Sequence, residues 1–184
     1  DAAQHLQKAL SSAEKLSDTK LLSECYFKYA LLLDDMNNTD TAVRYYQKCI
    51  QINDNSEENQ YLSSAYTNLA EIYDEEDNTE KSKKYYKLAI KADKKTNNYD
   101  GLYYSYSKLA SLYGDEDFDK AYEYLLKALA AAKRFDDTSY AAAIYAETGN
   151  MFKQRKNYKK ALKAYINAKN LIHPGAGTDL EETV

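Results

Sequence analysis

A small residue returns along this chain at an almost fixed interval. Ala30, Ala70, Ala110 and Gly149 are separated by 40, 40 and 39 residues. Four positions before each stands a tyrosine: Tyr26, Tyr66, Tyr106 and Tyr145. Three positions after each stands a large apolar residue: Leu33, Tyr73, Tyr113 and Phe152. A second set follows in the same order, reading Ala42, Ser82, Ala121 and Ala161, then Tyr46, Tyr86, Leu125 and Tyr165, then Cys49, Ala89, Ala128 and Ala168. The one missing residue lies in Gly114-Asp-Glu-Asp-Phe-Asp119, where Tyr113 to Ala121 spans eight positions instead of nine. Such periodicity restricts the chain to an array of similar units, each burying its apolar face against its neighbours.

Each unit holds two amphipathic helices. Tyr66, Leu69, Ala70 and Tyr73 follow i, i+3, i+4, i+7 and fall on one helical stripe, and Ser82, Tyr86 and Ala89 repeat the logic. The polar stretches between them, such as Asp77-Asn-Thr79 and Arg155-Lys-Asn157, supply caps and turns. The small residues let two backbones approach, and the aromatics fill the space between hairpins. The tyrosine stripe is therefore read as core packing rather than as a ligand box. The spacing predicts first helices near 20–36, 58–75, 99–114 and 138–155, and second helices near 2–16, 40–53, 79–96, 118–134 and 158–172.

The stretches Tyr66-Thr-Asn-Leu-Ala-Glu-Ile-Tyr73 with Ser82 to Ala89, and Tyr106 to Tyr113 with Ala121 to Ala128, resemble the tetratricopeptide repeat. The resemblance covers residues 2 to 173. It departs from the family in its unit, about 40 residues against the usual 34, in having Tyr in place of Trp, and in lacking the proline that closes the second helix. The extra six residues imply longer helices. The resemblance implies an all-α helical-hairpin solenoid, coiled as a right-handed superhelix. The expected organisation is a half-repeat at 1–17, repeats at about 20–56, 60–97, 100–136 and 139–173, and a flexible tail or linker at 174–184. Ala2, Leu6, Ala9 and Leu10 align with Ala121, Leu125, Ala128 and Leu129 at an offset of 119, so the natural polypeptide is expected to extend further towards its N-terminus.

Composition narrows function by exclusion. A net charge of −4, from 25 basic and 29 acidic residues, is not the footprint of a general nucleic-acid binder. Five glycines and one proline leave little room for a glycine-cradled nucleotide site, and no apolar run is long enough to cross a membrane. Cys25 and Cys49 read as buried reduced thiols, with a disulfide inside one hairpin as the alternative. The only histidines, His5 and His173, lie at opposite ends, which argues against a zinc site. No nucleophile with an orienting partner, metal set or cofactor cradle is recognisable. The chain is expected to be a non-catalytic protein- or peptide-binding scaffold without a cofactor, part of a larger protein and cytoplasmic. A peptide-responsive sensor domain of a signalling protein is the competing reading, and a trafficking adaptor a third.

The resemblance also implies where a ligand sits: on the first helices, at Glu24, Phe27 and Leu31, at Ser64, Thr67, Asn68 and Glu71, at Tyr104, Ser107, Lys108 and Ser111, and at Asn150. The family's clamp for a terminal carboxylate keeps only Asn68 and the charge of Lys108 here, which disfavours acidic chaperone tails. Phe27, Leu31 and Tyr104 are expected to offer apolar anchorage. Glu24 and Glu71, with Asp34, Asp35, Asp74 and Glu75, make the field negative, so the expected ligand carries apolar anchors and Lys or Arg. Charge also divides along the chain. Nine acids and no base lie between Asp54 and Glu80, and seven bases and no acid between Met151 and Lys169. This separation either keeps the surfaces solvated or favours head-to-tail self-association.

Overall fold

A computed structural model describes residues 2–16, 18–53, 60–114, 116–134 and 138–172. Among them are nine α-helices and no strand: α1 (Ala2–Leu16), α2 (Thr19–Asp35), α3 (Thr39–Asn53), α4 (Gln60–Glu75), α5 (Thr79–Thr96), α6 (Tyr99–Tyr113), α7 (Phe118–Ala132), α8 (Ser139–Gln154) and α9 (Tyr158–Ile172). Every helix anticipated from the repeat is present, with ends within two residues of those expected. The tail 174–184 and the acids Asp54, Glu57 and Glu58 lie outside the described residues.

The described chain groups into two compact units, Asp1–Gly101 and Leu102–Val184. In the first, α2 packs on α3, α4 on α5, α1 on α2 and α3 on α4, and α2 also touches α4. In the second, α8 packs on α9 and α7 on α8. The core of the first unit gathers Ala30, Leu33, Ala42, Tyr46, Cys49, Ala65, Leu69 and Ile72. Both cysteines are buried free thiols.

Several helices begin where a short polar side chain catches an orphan N–H. Asp18 Oδ1 accepts from the Leu21 N–H at 3.0 Å, Asn78 Oδ1 from Lys81 at 3.3 Å, Asp117 Oδ1 from Lys120 at 3.1 Å, and Asn157 Oδ1 from Lys160 at 3.2 Å. The hairpins turn through left-handed residues. Asn37 and Asp77 take φ of 57°, and Gly114 fills the corresponding role in the shortened loop at 46°. Asn and Asp tolerate this region, and glycine enters it freely.

Aromatic columns repeat with the same register. Tyr26 meets Tyr45 at 5.9 Å between ring centroids, Tyr66 meets Tyr85 at 6.2 Å, and Tyr106 meets Tyr124 at 6.1 Å. Tyr73 stacks on Tyr85 and Tyr113 on Tyr124, 5.4 and 5.5 Å apart. A lysine from the next helix covers the aromatic ending the previous one: Lys81 over Tyr73 at 4.5 Å, Lys120 over Tyr113 at 5.3 Å, Lys160 over Phe152 at 5.1 Å. Tyr46 and Tyr86 are fully buried. The tyrosine stripe is packing, as the periodicity indicated.

Buried polar pairs also recur at the 40-residue offset. Asn53 Nδ2 donates to Ser23 Oγ at 2.5 Å, and Ser23 Oγ lies 3.4 Å from Cys49 Sγ. One unit later Asp93 stands in the place of Asn53 and pairs with Ser63. Asn98 Nδ2 donates to Asp93 Oδ1 at 2.8 Å, and Asn98 Oδ1 accepts the Gly101 N–H at 3.3 Å. A Cβ at position 101 would lie 2.4 Å from Asp93 Oδ2, so the close approach of α6 to this carboxyl requires glycine.

Lys156 is the exception among the hairpin turns. It occupies the left-handed position of Asn37 and Asp77, at φ 59°, without the short polar side chain that makes this cheap. Lys156→Asn is expected to stabilise the protein by about 0.5–1 kcal/mol, read as a higher urea midpoint at unchanged slope. A lower midpoint would show that the lysine makes a compensating contact.

Candidate functional site

The first unit brings two of the expected first helices, α2 and α4, into contact. Glu24, Phe27, Leu31, Ser64, Thr67, Asn68 and Glu71 are all half-buried. Their neighbours Ser23, Ala30, Leu33, Ala65, Leu69, Ala70 and Ile72 are buried. The row is thus set apart from the core by rotation about each helix. It is also set apart from the fully solvated face.

Within this row the side chains differ in what they still offer. Phe27 lies 5.4 Å from the Tyr61 ring and 6.0 Å from Tyr46, so it packs against the core while keeping part of its ring exposed. Leu31 packs against the same cluster. Asn68 Nδ2 donates to the Ser64 carbonyl of its own helix at 2.8 Å. Glu24 accepts from Lys28 at 2.6 Å, one turn on. That hydrogen bond holds the Glu24 carboxyl below its ordinary range, though an exposed pair of this kind adds little stability.

Carboxylates gather at the C-terminal ends of the two helices. Burial, then the charges of Glu75, Asp35 and Glu71, push Asp34 above the ordinary aspartate range. Neither α2 nor α4 has a basic residue in its last turn, where a cation would complement the helix dipole.

In the second unit Tyr104, Ser107 and Lys108 are half-buried on α6, and Ser111 is exposed. The Lys108 ammonium sits 5.3 Å from the Tyr104 ring centroid. The Ser107 hydroxyl is buried with no hydrogen-bond partner among the described residues. Asn150, on α8, is exposed and accepts from the Tyr165 hydroxyl at 2.7 Å. On the same helix, burial raises the pKa of Glu147. The basic residues of α9 and of the turn before it are exposed, and so are Tyr158 and Leu162.

The geometry defines a class: helical hairpins, the first two of which present a half-buried row on their first helices. Residues 23–56 and 63–96 match the model of the tetratricopeptide repeat. The matched windows start 40 residues apart and leave residues 57–62 between them; of these, 60–62 open α4 and 57–59 lie outside the described residues. Three solved structures show the same fold. BtubC (BKLC) from P. vanneervenii is 24% identical with a TM-score of 0.77, over 91% of this chain and 70% of that one. A Podosopora anserina putative kinesin light chain with nearly identical TPR-like repeats is 14% identical with a TM-score of 0.68, over 94% and 88%. Aspartyl phosphate phosphatase F from Bacillus subtilis is 16% identical with a TM-score of 0.65, over 94% of this chain and 56% of that protein. Among curated proteins none matches this sequence. The two matched repeats and the shared fold support a repeat scaffold for protein interaction. No described helix is long and apolar enough to cross a membrane.

The Asp34 environment has a signed consequence. A carboxyl whose folded pKa is raised binds its proton more tightly folded than unfolded, so its contribution to stability falls as pH rises through that pKa. Asp34→Asn is therefore expected to raise the melting temperature at about pH 7 and to narrow the gain that the wild type shows on acidification towards about pH 4. An equal gain in both proteins would place the titration at other groups, Asp93 and Glu147 first.

Proposed function

We propose that this chain is a non-catalytic protein- or peptide-binding scaffold whose ligand lies along the first helices of its repeats. The reading takes residues 1–173 as the repeat array and 174–184 as a tail or linker. The observation that carries it is the row Glu24, Phe27, Leu31, Ser64, Thr67, Asn68 and Glu71, half-buried throughout on two helices in contact. A row with partly exposed apolar anchors and few exposed hydroxyls left over is suited to an extended or helical segment rather than to a small polar metabolite. The carboxylates at the ends of α2 and α4 favour Lys or Arg in that segment over an acidic tail. Tyr104, Ser107, Lys108, Ser111 and Asn150 are assigned the same role within the second unit.

The competing reading is a regulatory sensor, in which a bound peptide controls an attached output domain. The scaffold is preferred, because the row needs only to bind. Self-association would use the exposed bases of residues 151–169 instead.

Peptides selected from a random dodecamer library on the full chain test the assignment. Thr67→Lys leaves the core untouched and is expected to weaken selected peptides roughly tenfold by fluorescence polarisation. Phe27→Ala should do the same, and Lys163→Glu should change affinity less than about twofold. Full affinity in both row variants with loss in Lys163→Glu would move the site to the basic face.

A further inference from the structure

The packing of α8 on α7 shows what a second helix offers to the helix that follows it. Phe152 of α8 meets Phe118 and Tyr122 of α7 edge-on, at 5.6 and 5.3 Å between ring centroids. Arg155, just past the end of α8, lays its guanidinium 4.2 Å from the Phe118 centroid. The residues next to the two seat rings, Asp119 and Glu123, are exposed acids, and the arriving end of α8 is basic, with Lys153, Arg155 and Lys156. An apolar seat bordered by one sign of charge thus takes an aromatic followed by the other sign.

The same seat recurs on α9. Tyr158 and Leu162 stand 40 residues after Phe118 and Tyr122, and Ile172 stands 40 after Ala132. On α7 these places are half-buried or buried. Val43, at the register of Leu162 on α3, is half-buried too, and there α4 packs on α3. On α9 they are open: Tyr158, Leu162 and Ile172 are 65%, 49% and 59% exposed, three of the five exposed large hydrophobics among the described residues. Scattered apolar side chains need no explanation, but these share one face of one helix. The border has also changed sign. Lys159 and Lys163 take the places of Asp119 and Glu123, and Lys169 takes that of Leu129.

We propose that this face of α9 docks an acidic amphipathic helix of a partner protein, which seats one aromatic or large aliphatic residue against Tyr158 and Leu162 and carries Asp or Glu in the turn behind it. The surface is separate from the α2–α4 row and does not depend on it. Continuity with the α7–α8 interface sets how the helix lies: as α8 lies on α7, with its last turn beside Tyr158. The reversed border sets the charge it brings, since Lys159 and Lys163 repel a basic end such as that of α8. An acidic last turn also meets the positive end of the α9 dipole. The α9 face of a second copy would bring the same lysines, so the face is not suited to pairing with itself.

The probe is a peptide copying residues 138–155 with Lys153→Glu and Arg155→Glu, and the unchanged copy is its control. Titrated into the full ¹⁵N-labelled chain, the acidic copy is expected to shift the amides of residues 158–163 saturably and to bind at least about tenfold tighter than the basic one. Leu162→Glu should weaken it about tenfold. Lys159→Glu/Lys163→Glu, at two exposed positions, should reverse the preference so that the basic copy binds tighter, a result that a misfolded variant could not give. Equal affinity for the two copies, indifference to Leu162→Glu, or shifts on α2 and α4 instead would each overturn the proposal. A dimer in sedimentation that Leu162→Glu abolishes would make the occupant a second copy, and tighter binding after removal of residues 174–184 would make it the chain's own tail. Either result overturns the assignment to a partner helix. Peptides of the α2–α4 row should keep their affinity in Leu162→Glu, so the two surfaces stand or fall separately.

Discussion

Everything in this fold follows from how closely two helices of a hairpin can approach. The last hairpin shows the limit: a Cβ at position 149 would lie 2.6 Å from the Tyr165 ring, so only glycine lets α8 meet α9 as it does. In the first hairpin Ala30 and Ala42 are completely buried beside Tyr46 and Cys49 in one cluster. Once the small residues set the spacing, the large ones have only one place to go. Tyrosines then pair across the first three hairpins at about the same separation, and lysines lie over the rings of Tyr73, Tyr113 and Phe152. The abundance of both residue types is thereby accounted for by packing.

The same rotation that buries the alanine stripe carries the other side of each first helix out of the core. That is how a packing constraint leaves a half-buried row on α2 and α4. On α2 the residue after the buried Ala30 is the half-buried Leu31, and on α4 the residue after the buried Ala70 is the half-buried Glu71. Phe27 and Leu31 on that row still pack against the core, whereas Thr67 and Glu71 are not part of that cluster. The rest of the row's chemistry is where selection for a ligand can act. Acids at helix C-termini are the part of it that stability alone would not favour.

Much of this was legible in the sequence because periodicity is a local signal. Helix positions, the shortened turn after Tyr113, the burial of Tyr46 and Tyr86, and free buried cysteines all follow from residues within one unit. The second tyrosine column, Tyr45, Tyr85 and Tyr124, lay in plain view at the repeat offset but was hidden behind the more regular column next to it. The Ser23–Asn53 bond joins residues 30 apart, and the Asp93 carboxyl beside Gly101 depends on how one hairpin begins the next. Neither has a sequence signature beyond a polar residue on an apolar stripe. The row on α2 and α4 was legible only through the family resemblance, and Phe27 proves more tightly packed than a free anchor, since Tyr61 and Tyr46 flank it.

The size match between the small residue and its partner across the hairpin is open to direct measurement. The third repeat carries Ala110 with Leu125, whereas the fourth carries Gly149 with Tyr165. A double-mutant cycle of Gly149→Ala and Tyr165→Leu, read by urea unfolding, therefore asks whether the fourth hairpin accepts the third's solution. Gly149→Ala alone should destabilise by about 1–3 kcal/mol through overpacking, and the Tyr165→Leu background should remove most of that loss, giving a coupling of about 1 kcal/mol or more. Additivity of the two changes to within about 0.5 kcal/mol would show that the two residues do not set the helix spacing, and would contradict the account.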